Sequence, residues 1–283
     1  MNDVARPEGR SRWRDLGVRV ASAAVLIPIV LVDAWAGGGW FLLVVGAIGA
    51  IMAKEWCRIV FASDLVQTVL HTAASIGALA IALEGRYDLA VVFAAALWGG
   101  SIAISAFRGE PLSKWTVLGV PYVSLPPLAM LGLRQDPDFG LAAILFLFAV
   151  VWAADTAAYF SGRIIGGPKL WPSISPNKTW AGLYGAMGGA AIAGAATGAF
   201  AGLPSLWPVT VIAAVLAVVE QGGDLFESAL KRAYGFKDAG RLIPGHGGLL
   251  DRVDGLVAAA VAAALLGVVR GGFAEPARGL LVW

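Results

Sequence analysis

Charged residues, cysteine and histidine are scarce in this chain. Only 14% of its residues are charged, whereas about a quarter are charged in an average soluble domain. The single cysteine, Cys57, excludes an internal disulfide bond. Two histidines, His71 and His246, without a Cys/His cluster argue against a zinc site. Ser228 has no histidine near it in sequence, so nothing supports a Ser-His-Asp hydrolase.

Apolar residues fill most of the sequence, at 58% of the chain and a mean hydropathy of +0.76. A helix needs about 20 apolar residues to cross a hydrocarbon core of roughly 30 Å. The sequence therefore predicts an all-α, polytopic integral membrane protein with about nine transmembrane helices. The second and eighth apolar runs are short, but helices there can continue through 54–60 and 221–230. The nine runs cover residues 16–35, 40–53, 66–83, 89–107, 115–133, 141–160, 181–203, 207–219 and 256–269.

Basic residues predict the orientation of these spans. The N-terminus carries a group of arginines, namely Arg6, Arg10, Arg12 and Arg14. The positive-inside rule assigns such a segment to the cytoplasm, and nine crossings then place the C-terminus outside. The other basic loops agree with this topology, whereas Arg270 and Arg278 run against it. We expect a multi-pass protein of the cell's inner (plasma) membrane with an active site that faces the cytoplasm.

The two halves of the chain differ in character. Residues 1–150 contain about five plain spans joined by short loops, and we interpret them as an N-terminal transmembrane scaffold. Residues 151–283 carry the longer polar loops, and we interpret them as a catalytic transmembrane region. Small residues in 182–202 would let helices approach closely. We expect the two parts to form one integrated membrane domain.

Polar residues first gather around the loop between the sixth and seventh spans. Asp155 and Tyr159 lie four residues apart and therefore on one helical face. An acid near the end of an apolar helix indicates a site or a buried partner. The loop that follows is rich in Pro and Gly, which preclude a continuous helix. It ends in Ser175, Asn177, Lys178 and Thr179. This segment suits a phosphate at a helix start, and equally a helix cap beside a lysine that reaches the membrane surface.

The densest polar chemistry lies between residues 220 and 255. If the eighth helix continues through Leu230, then Asp224, Glu227, Ser228 and Lys231 form a single stripe. Beyond it, a glycine-rich loop spans 235–248 and can fold its backbone closely around an anion. The basic members of this loop include Lys237, Arg241 and His246.

Two further acids, Asp251 and Asp254, begin the ninth helix and share one face. Carboxylates from two helix ends that face a basic loop are the arrangement expected of Mg²⁺ holding a polyphosphate. This favours metal-assisted phosphoryl or nucleotidyl transfer. The alternative is that both acids cap a helix N-terminus while the basic residues contact lipid headgroups.

Motifs in the C-terminal half resemble those of phosphatidate cytidylyltransferases. The signature residues are Ser228-x-x-Lys231-Arg232, Lys237-Asp238, Pro244-Gly245-His246-Gly247-Gly248 and Asp251-Arg252-x-Asp254. Shorter similar motifs are Asp155-Thr156-x-Ala158-Tyr159-x-x-Gly162, Ser175-Pro176-x-Lys178-Thr179 and Gln221-x-Gly223-Asp224-x-x-Glu227-Ser228. The N-terminal half is similar only in its pattern of spans. The chain departs from the family pattern at Ala181, where Glu is frequent, and at Gly255, where Ser is frequent.

The resemblance implies that CTP and phosphatidate give CDP-diacylglycerol and pyrophosphate in a reaction that depends on Mg²⁺. Whether one cation or two are bound is left open. It implies Asp224, Asp251 and Asp254 as metal ligands, with Lys231 completing the catalytic set. The remaining substrate-binding candidates are Asp155, Tyr159, Ser175, Asn177, Lys178, Thr179, Ser228, Arg232, Lys237, His246 and Arg252. The expected partners are the two substrates and the lipid bilayer, not nucleic acid, and a homodimer is left open.

Two other functions fit parts of the pattern. A CTP-dependent lipid-alcohol kinase would transfer the γ-phosphoryl group to a hydroxyl and release CDP instead of pyrophosphate. A transporter of an anionic solute would use the basic loop as a gate. Against the transporter, the charges lie near the predicted membrane surface, whereas transport sites usually lie at the midplane.

We predict that Asp251→Asn abolishes turnover and leaves folding and membrane insertion largely intact, because the change removes a charged metal ligand without altering the size of the side chain. The measurement is turnover of purified protein beside its elution profile in detergent. Near-normal activity would remove Asp251 from the metal site.

Overall fold

The computed structural model describes residues 27–240 and 247–283. Helices dominate this part of the chain and follow one another with short connections. They are α1 (described over Ile27–Ala36), α2 (Gly38–Val60), α3 (Leu65–Leu83), α4 (Tyr87–Phe107), α5 (Lys114–Gln135), α6 (Gly140–Ile164), α7 (Trp180–Phe200), α8 (Trp207–Ala233), α9 (Leu250–Gly271) and α10 (Pro276–Leu281).

The predicted all-α, polytopic membrane architecture is confirmed. Within the described residues, eight helices, α2 to α9, are long and apolar enough to cross a membrane. The first predicted run is described only from Ile27, where it is helical to Ala36. The two short runs do continue as predicted, since α2 extends to Val60 and α8 extends to Ala233.

The loop between α6 and α7 contains a small β-hairpin that the sequence analysis did not predict. Strand β1 (Lys169–Trp171) pairs antiparallel with β2 (Ser175–Thr179). Thr179 ends the hairpin and caps α7, because its hydroxyl accepts a hydrogen bond of 3.0 Å from the amide of Gly182. The hairpin thus leads the chain directly into a helix start beside α6.

Glycines on one face of α7 let this helix pack closely against α6. A Cβ atom on Gly189 would lie 2.5 Å from the Cβ of Ala157 and 2.9 Å from the carbonyl oxygen of Ala153. A Cβ atom on Gly185 would meet the Ser161 side chain. Membrane helices associate through such close contacts, since lipid supplies no hydrophobic force between them. The packing brings the end of α6 against the start of α7.

Polar contacts mark the two ends of the helix bundle. At one end, Arg58 in the last turn of α2 donates a hydrogen bond of 3.1 Å to the carbonyl oxygen of Ala239, and Arg108 lies 3.1 Å from Asp64. At the other end, Arg134 donates 2.7 Å to the carbonyl oxygen of Ala34. The first end contains the hairpin and the α8–α9 connection, and it holds the predicted site residues that the structure describes.

Gly189→Leu should destabilise the protein, because the larger side chain would force α7 away from α6. Overpacking of a close contact costs about 1–3 kcal/mol. The neighbouring Gly188 is the matched control, since a Cβ atom there meets nothing within 4 Å. Thermal unfolding in detergent should show a lower midpoint for Gly189→Leu than for Gly188→Leu. Equal midpoints would contradict this account of the α6–α7 contact.

Candidate active site at the helix ends

A polar cavity of about 190 Å³ lies between the end of α6, the hairpin, the start of α7 and the polar part of α8. It brings together predicted residues from three separate stretches of the sequence. Its lining includes Asp155, Tyr159, Asn177, Lys178, Thr179, Gln221 and Asp224. The close packing of α6 and α7 places Asp155 and Lys178 on the same cavity.

Three carboxylates cluster at this cavity, and two of them, Asp155 and Asp224, line it. Asp155, Glu220 and Asp224 each offer one oxygen atom, and these atoms lie within 4.8 Å of one another. Lys178 donates 2.6 Å to Oδ2 of Asp224 and 2.7 Å to Oε1 of Gln221. One lysine contact balances only part of this negative charge, and like charges at such distances repel one another. The cluster therefore favours an additional positive charge.

Glycines allow α8 and α9 to approach each other at the acidic cluster. A Cβ atom on Gly223 would lie 2.6 Å from the carbonyl oxygen of Asp254. A Cβ atom on Gly255 would lie 2.7 Å from Oε1 of Glu220 and 2.9 Å from Oδ1 of Asp224. Any larger residue at 255 would have to displace these carboxylates. The departure from the family pattern at Gly255 thus coincides with the closest packing around the acids.

The acidic cluster fits a divalent cation. Oε1 of Glu220 is buried and has no hydrogen-bond partner, although Oε2 accepts a hydrogen bond of 3.0 Å from the side-chain Nε2 of Gln221. Oδ1 of Asp224 approaches the same Gly255 backbone as Oε1 of Glu220. Carboxylate oxygens are the ligands that Mg²⁺ prefers in proteins. The donor set is therefore suitable for Mg²⁺.

A second charged cluster is centred on Lys231, further along α8. Its amino group donates 2.6 Å to Oδ1 of Asp251 and forms an ion pair of 2.6 Å with Glu227. Oδ2 of Asp251 accepts hydrogen bonds from the amides of Ala239 at 2.9 Å and Gly248 at 2.7 Å. The predicted stripe on α8 is thus divided, with Asp224 in the first cluster and Lys231 in the second.

Asp254 lies on α9 beside the contact with α8. Its Oδ1 accepts 3.0 Å from the amide of Gly255, and its carbonyl oxygen faces Gly223. The predicted metal set of Asp224, Asp251 and Asp254 shares only Asp224 with the acids that cluster within 4.8 Å. The predicted set stays a prediction.

The other predicted binding residues surround these clusters or lie outside the described part. Ser175 on β2 and Ser228 on α8 are partly exposed. Arg232, Lys237 and Arg252 are exposed. His246 and Arg241 lie outside the described residues. The roles given to all of these side chains stay predictions.

Sequence analysis overlooked two acids that the structure places at the site. Glu220 precedes Asp224 by one helical turn, so the i, i+4 spacing could have revealed it. Glu55 on α2 accepts hydrogen bonds from the start of α9, almost two hundred residues away. No local sequence pattern indicates a contact between residues so far apart in the chain.

An apolar cavity of about 380 Å³ lies on the other face of the same part of α8. Residues 219–226 line both cavities, with Asp224 toward the polar one and Phe226 toward the apolar one. Helices α5 and α9 complete the apolar cavity. Its lining includes Leu118, Tyr122, Leu125, Pro126, Val219, Gly222, Gly223, Phe226, Val257, Ala258 and Val261.

The polytopic helical fold, with lysines and carboxylates gathered where helix ends meet, is that of an integral membrane protein with a charged site. The chain belongs to the cytidylyltransferase family, whose sequence model matches residues 17–269. It is therefore a nucleotidyltransferase.

Several similar proteins carry the name phosphatidate cytidylyltransferase. The one from Brucella suis is 42% identical over 264 residues, which cover 93% of this chain and 96% of that protein. The one from Pseudomonas aeruginosa is 36% identical over 262 residues, covering 88% and 96%. The one from Staphylococcus epidermidis is 41% identical over 143 residues, covering 50% and 54%.

Lys178→Met should reduce turnover by about a hundredfold or more, because the contact with substrate phosphate expected of Lys178 would be lost. It should also leave Asp224 without its ion pair. Lys169→Met is the control, since Lys169 is exposed on β1 outside the polar cavity. Steady-state turnover of the two purified variants checks the prediction. A similar loss in both would point to the hairpin and not to the Lys178 amino group.

Proposed function

We propose that this nucleotidyltransferase is a phosphatidate cytidylyltransferase, which converts CTP and phosphatidate into CDP-diacylglycerol and pyrophosphate. One observation carries the proposal: a single segment of α8, residues 219–226, lines a polar acid–lysine cavity on one face and an apolar cavity on the other. A lipid phosphate needs both surroundings at once. The names of the similar proteins support the same substrate.

Each cavity suits one part of the lipid substrate. The apolar cavity, between α5, α8 and α9, takes acyl chain, and its lining is almost free of polar side chains. The phosphate group then reaches past the Gly223–Gly255 contact toward Lys178 and Lys231. CTP reaches the polar cavity from the aqueous side, where the exposed Arg232 and Lys237 attract its triphosphate.

The reaction requires no nucleophile from the protein. A phosphatidate oxygen attacks the α-phosphorus of CTP, the new P–O bond forms in line, and the bond to the β-phosphate oxygen breaks to release pyrophosphate. The chain's task is to hold both phosphates in line and to balance their charge. Lys178 and Lys231 supply positive charge from two sides of the α8–α9 contact.

Mg²⁺ is part of the proposal. Asp224 would hold it, with Glu220 and Asp155 from the acidic cluster and Asp254 from the adjoining turn of α9. When bound, the ion neutralises phosphate oxygens and draws electrons from the phosphorus under attack. A second cation would involve the remaining predicted ligand, Asp251.

The proposal places the protein in the inner (plasma) membrane with its site on the cytoplasmic side. Most basic residues of the described part lie at the site's end of the bundle, which the positive-inside rule assigns to the cytoplasm. They include Lys54, Arg58, Arg108, Lys114, Arg163, Lys169, Lys178, Lys231, Arg232 and Lys237. The homodimer stays a prediction. The two clusters are built within one chain, so the proposed reaction does not depend on it.

A mixed-micelle assay of the purified protein with CTP, phosphatidate and Mg²⁺ tests this function. We expect equal yields of CDP-diacylglycerol and pyrophosphate, both lost when EDTA removes the cation, because the phosphates would then lack their counter-charge. A sample restored with excess Mg²⁺ is the control for EDTA damage.

Other outcomes point to the alternatives. CDP release with a lipid alcohol, and no reaction with phosphatidate, would replace the proposal with a CTP-dependent kinase. Silence in both reactions, together with uptake of an anionic solute into proteoliposomes, would favour a transporter.

A further inference from the structure

Glu55 on α2 is a buried acid with an unusual set of partners. Its side chain is 6% exposed. Its two carboxylate oxygens accept hydrogen bonds from the amides of Leu249 at 3.0 Å and Leu250 at 2.8 Å. These amides belong to the first turn of α9, which has no capping side chain of its own. A helix from the N-terminal half thus caps the helix that carries Asp251 and Asp254.

The described ends of the glycine-rich connection between α8 and α9 meet around this carboxylate. A Cβ atom on Gly240 would clash with Oε1 of Glu55, at 2.1 Å. A Cβ atom on Gly248 would lie 2.7 Å from both Glu55 oxygens. By its sequence, this loop can fold its backbone closely around an anion. At Gly240 and Gly248, the anion that the structure provides is the protein's own Glu55.

Arg58, one turn further along α2, holds the same connection from the other side. Its guanidinium group donates 3.1 Å to the carbonyl oxygen of Ala239 and 3.1 Å to that of Asp238. The amide of Ala239 in turn donates to Asp251. The carbonyl oxygen of Ala239 is therefore held by Arg58, and the backbone amide of the same residue is held by Asp251. Asp251 finally accepts from Lys231.

We propose that Glu55 and Arg58 are positioning residues, which fix the α8–α9 connection so that Asp251 and Lys231 face the reacting phosphates. Glu55 fixes the position of the first turn of α9 and hence the position of Asp251, which lies in that turn. Arg58 sets the backbone amide that orients the Asp251 carboxylate. The effect on turnover rests on the proposed function, whereas the effect on the connection itself does not.

The negative charge of Glu55 is the part that matters. The carboxylate accepts hydrogen bonds from two N–H donors at the positive end of a helix. Two glycines, Gly240 and Gly248, pack closely beside it. Gln at this position keeps the shape and can accept one of the two hydrogen bonds through its oxygen, but its NH2 group then faces the other N–H donor. Asp keeps the charge but is shorter by one methylene group. The two variants therefore separate charge from shape.

Hydrogen–deuterium exchange and kinetics of the full-length protein in micelles test the inference. We expect Glu55→Gln to raise exchange in the 247–250 segment by about tenfold, because charged hydrogen bonds to those amides are lost. Turnover should fall about tenfold or more through misplacement of the charged groups. The apparent KM for CTP should change far less. Glu55→Asp should retain more activity than Glu55→Gln.

Glu84→Gln is the matched control, since Glu84 is exposed at the end of α3 away from the site. It should leave exchange and turnover unchanged. Arg58→Lys provides a milder variant if Glu55→Gln does not fold. It keeps the charge but loses the paired contact with Ala239 and Asp238, and it should lower turnover with little change in the unfolding temperature.

Three results would overturn the inference: unchanged exchange at 247–250 in Glu55→Gln, raised exchange with normal turnover, or better activity in Glu55→Gln than in Glu55→Asp. If Glu55→Gln does not fold, unchanged turnover in Arg58→Lys would overturn it. A wild-type protein without cytidylyltransferase activity would instead contradict the proposed function. The exchange comparison would then decide the inference alone.

Discussion

The site depends on the pairing of carboxylates with lysines and backbone amides where helix ends meet. A charge placed in a membrane protein is costly unless it has such partners. Lys178 joins the start of α7 to Asp224 on α8, and Lys231 joins α8 to Asp251 on α9. Each pair therefore fixes a helix contact and a charged group together. The acidic cluster has three carboxylates and one paired lysine, so a cation bound there would offset the remaining negative charge.

Much of the architecture was predictable because the membrane imposes a strong and local rule. Helix length and apolar composition predicted the spans, and their polar ends predicted that α2 and α8 extend beyond the apolar runs. Local spacing also placed Asp155 and Tyr159 on one face, and both line the polar cavity. These inferences needed only neighbours within about one helical turn.

The remainder could not be predicted because it arises from contacts distant in sequence. The acidic cluster joins Asp155 on α6 to Glu220 and Asp224 on α8, and no local pattern indicates that these two helices meet. The contribution of α2 shows the same limit. The interpretation of residues 1–150 as scaffold gave no indication that Glu55, in that half, binds the start of α9. The hairpin between α6 and α7 was also not predictable, because its strands of three and five residues are too short to show an alternation of apolar and polar residues.

The two cavities along residues 219–226 have a kinetic consequence under the proposed function. One reactant diffuses in two dimensions among other lipids, and the other diffuses in three dimensions through water. The rate at which the lipid arrives then follows its mole fraction in the surrounding bilayer and not its amount per litre. Dilution of the lipid substrate with inert lipid would therefore lower turnover even at a saturating concentration of the nucleotide.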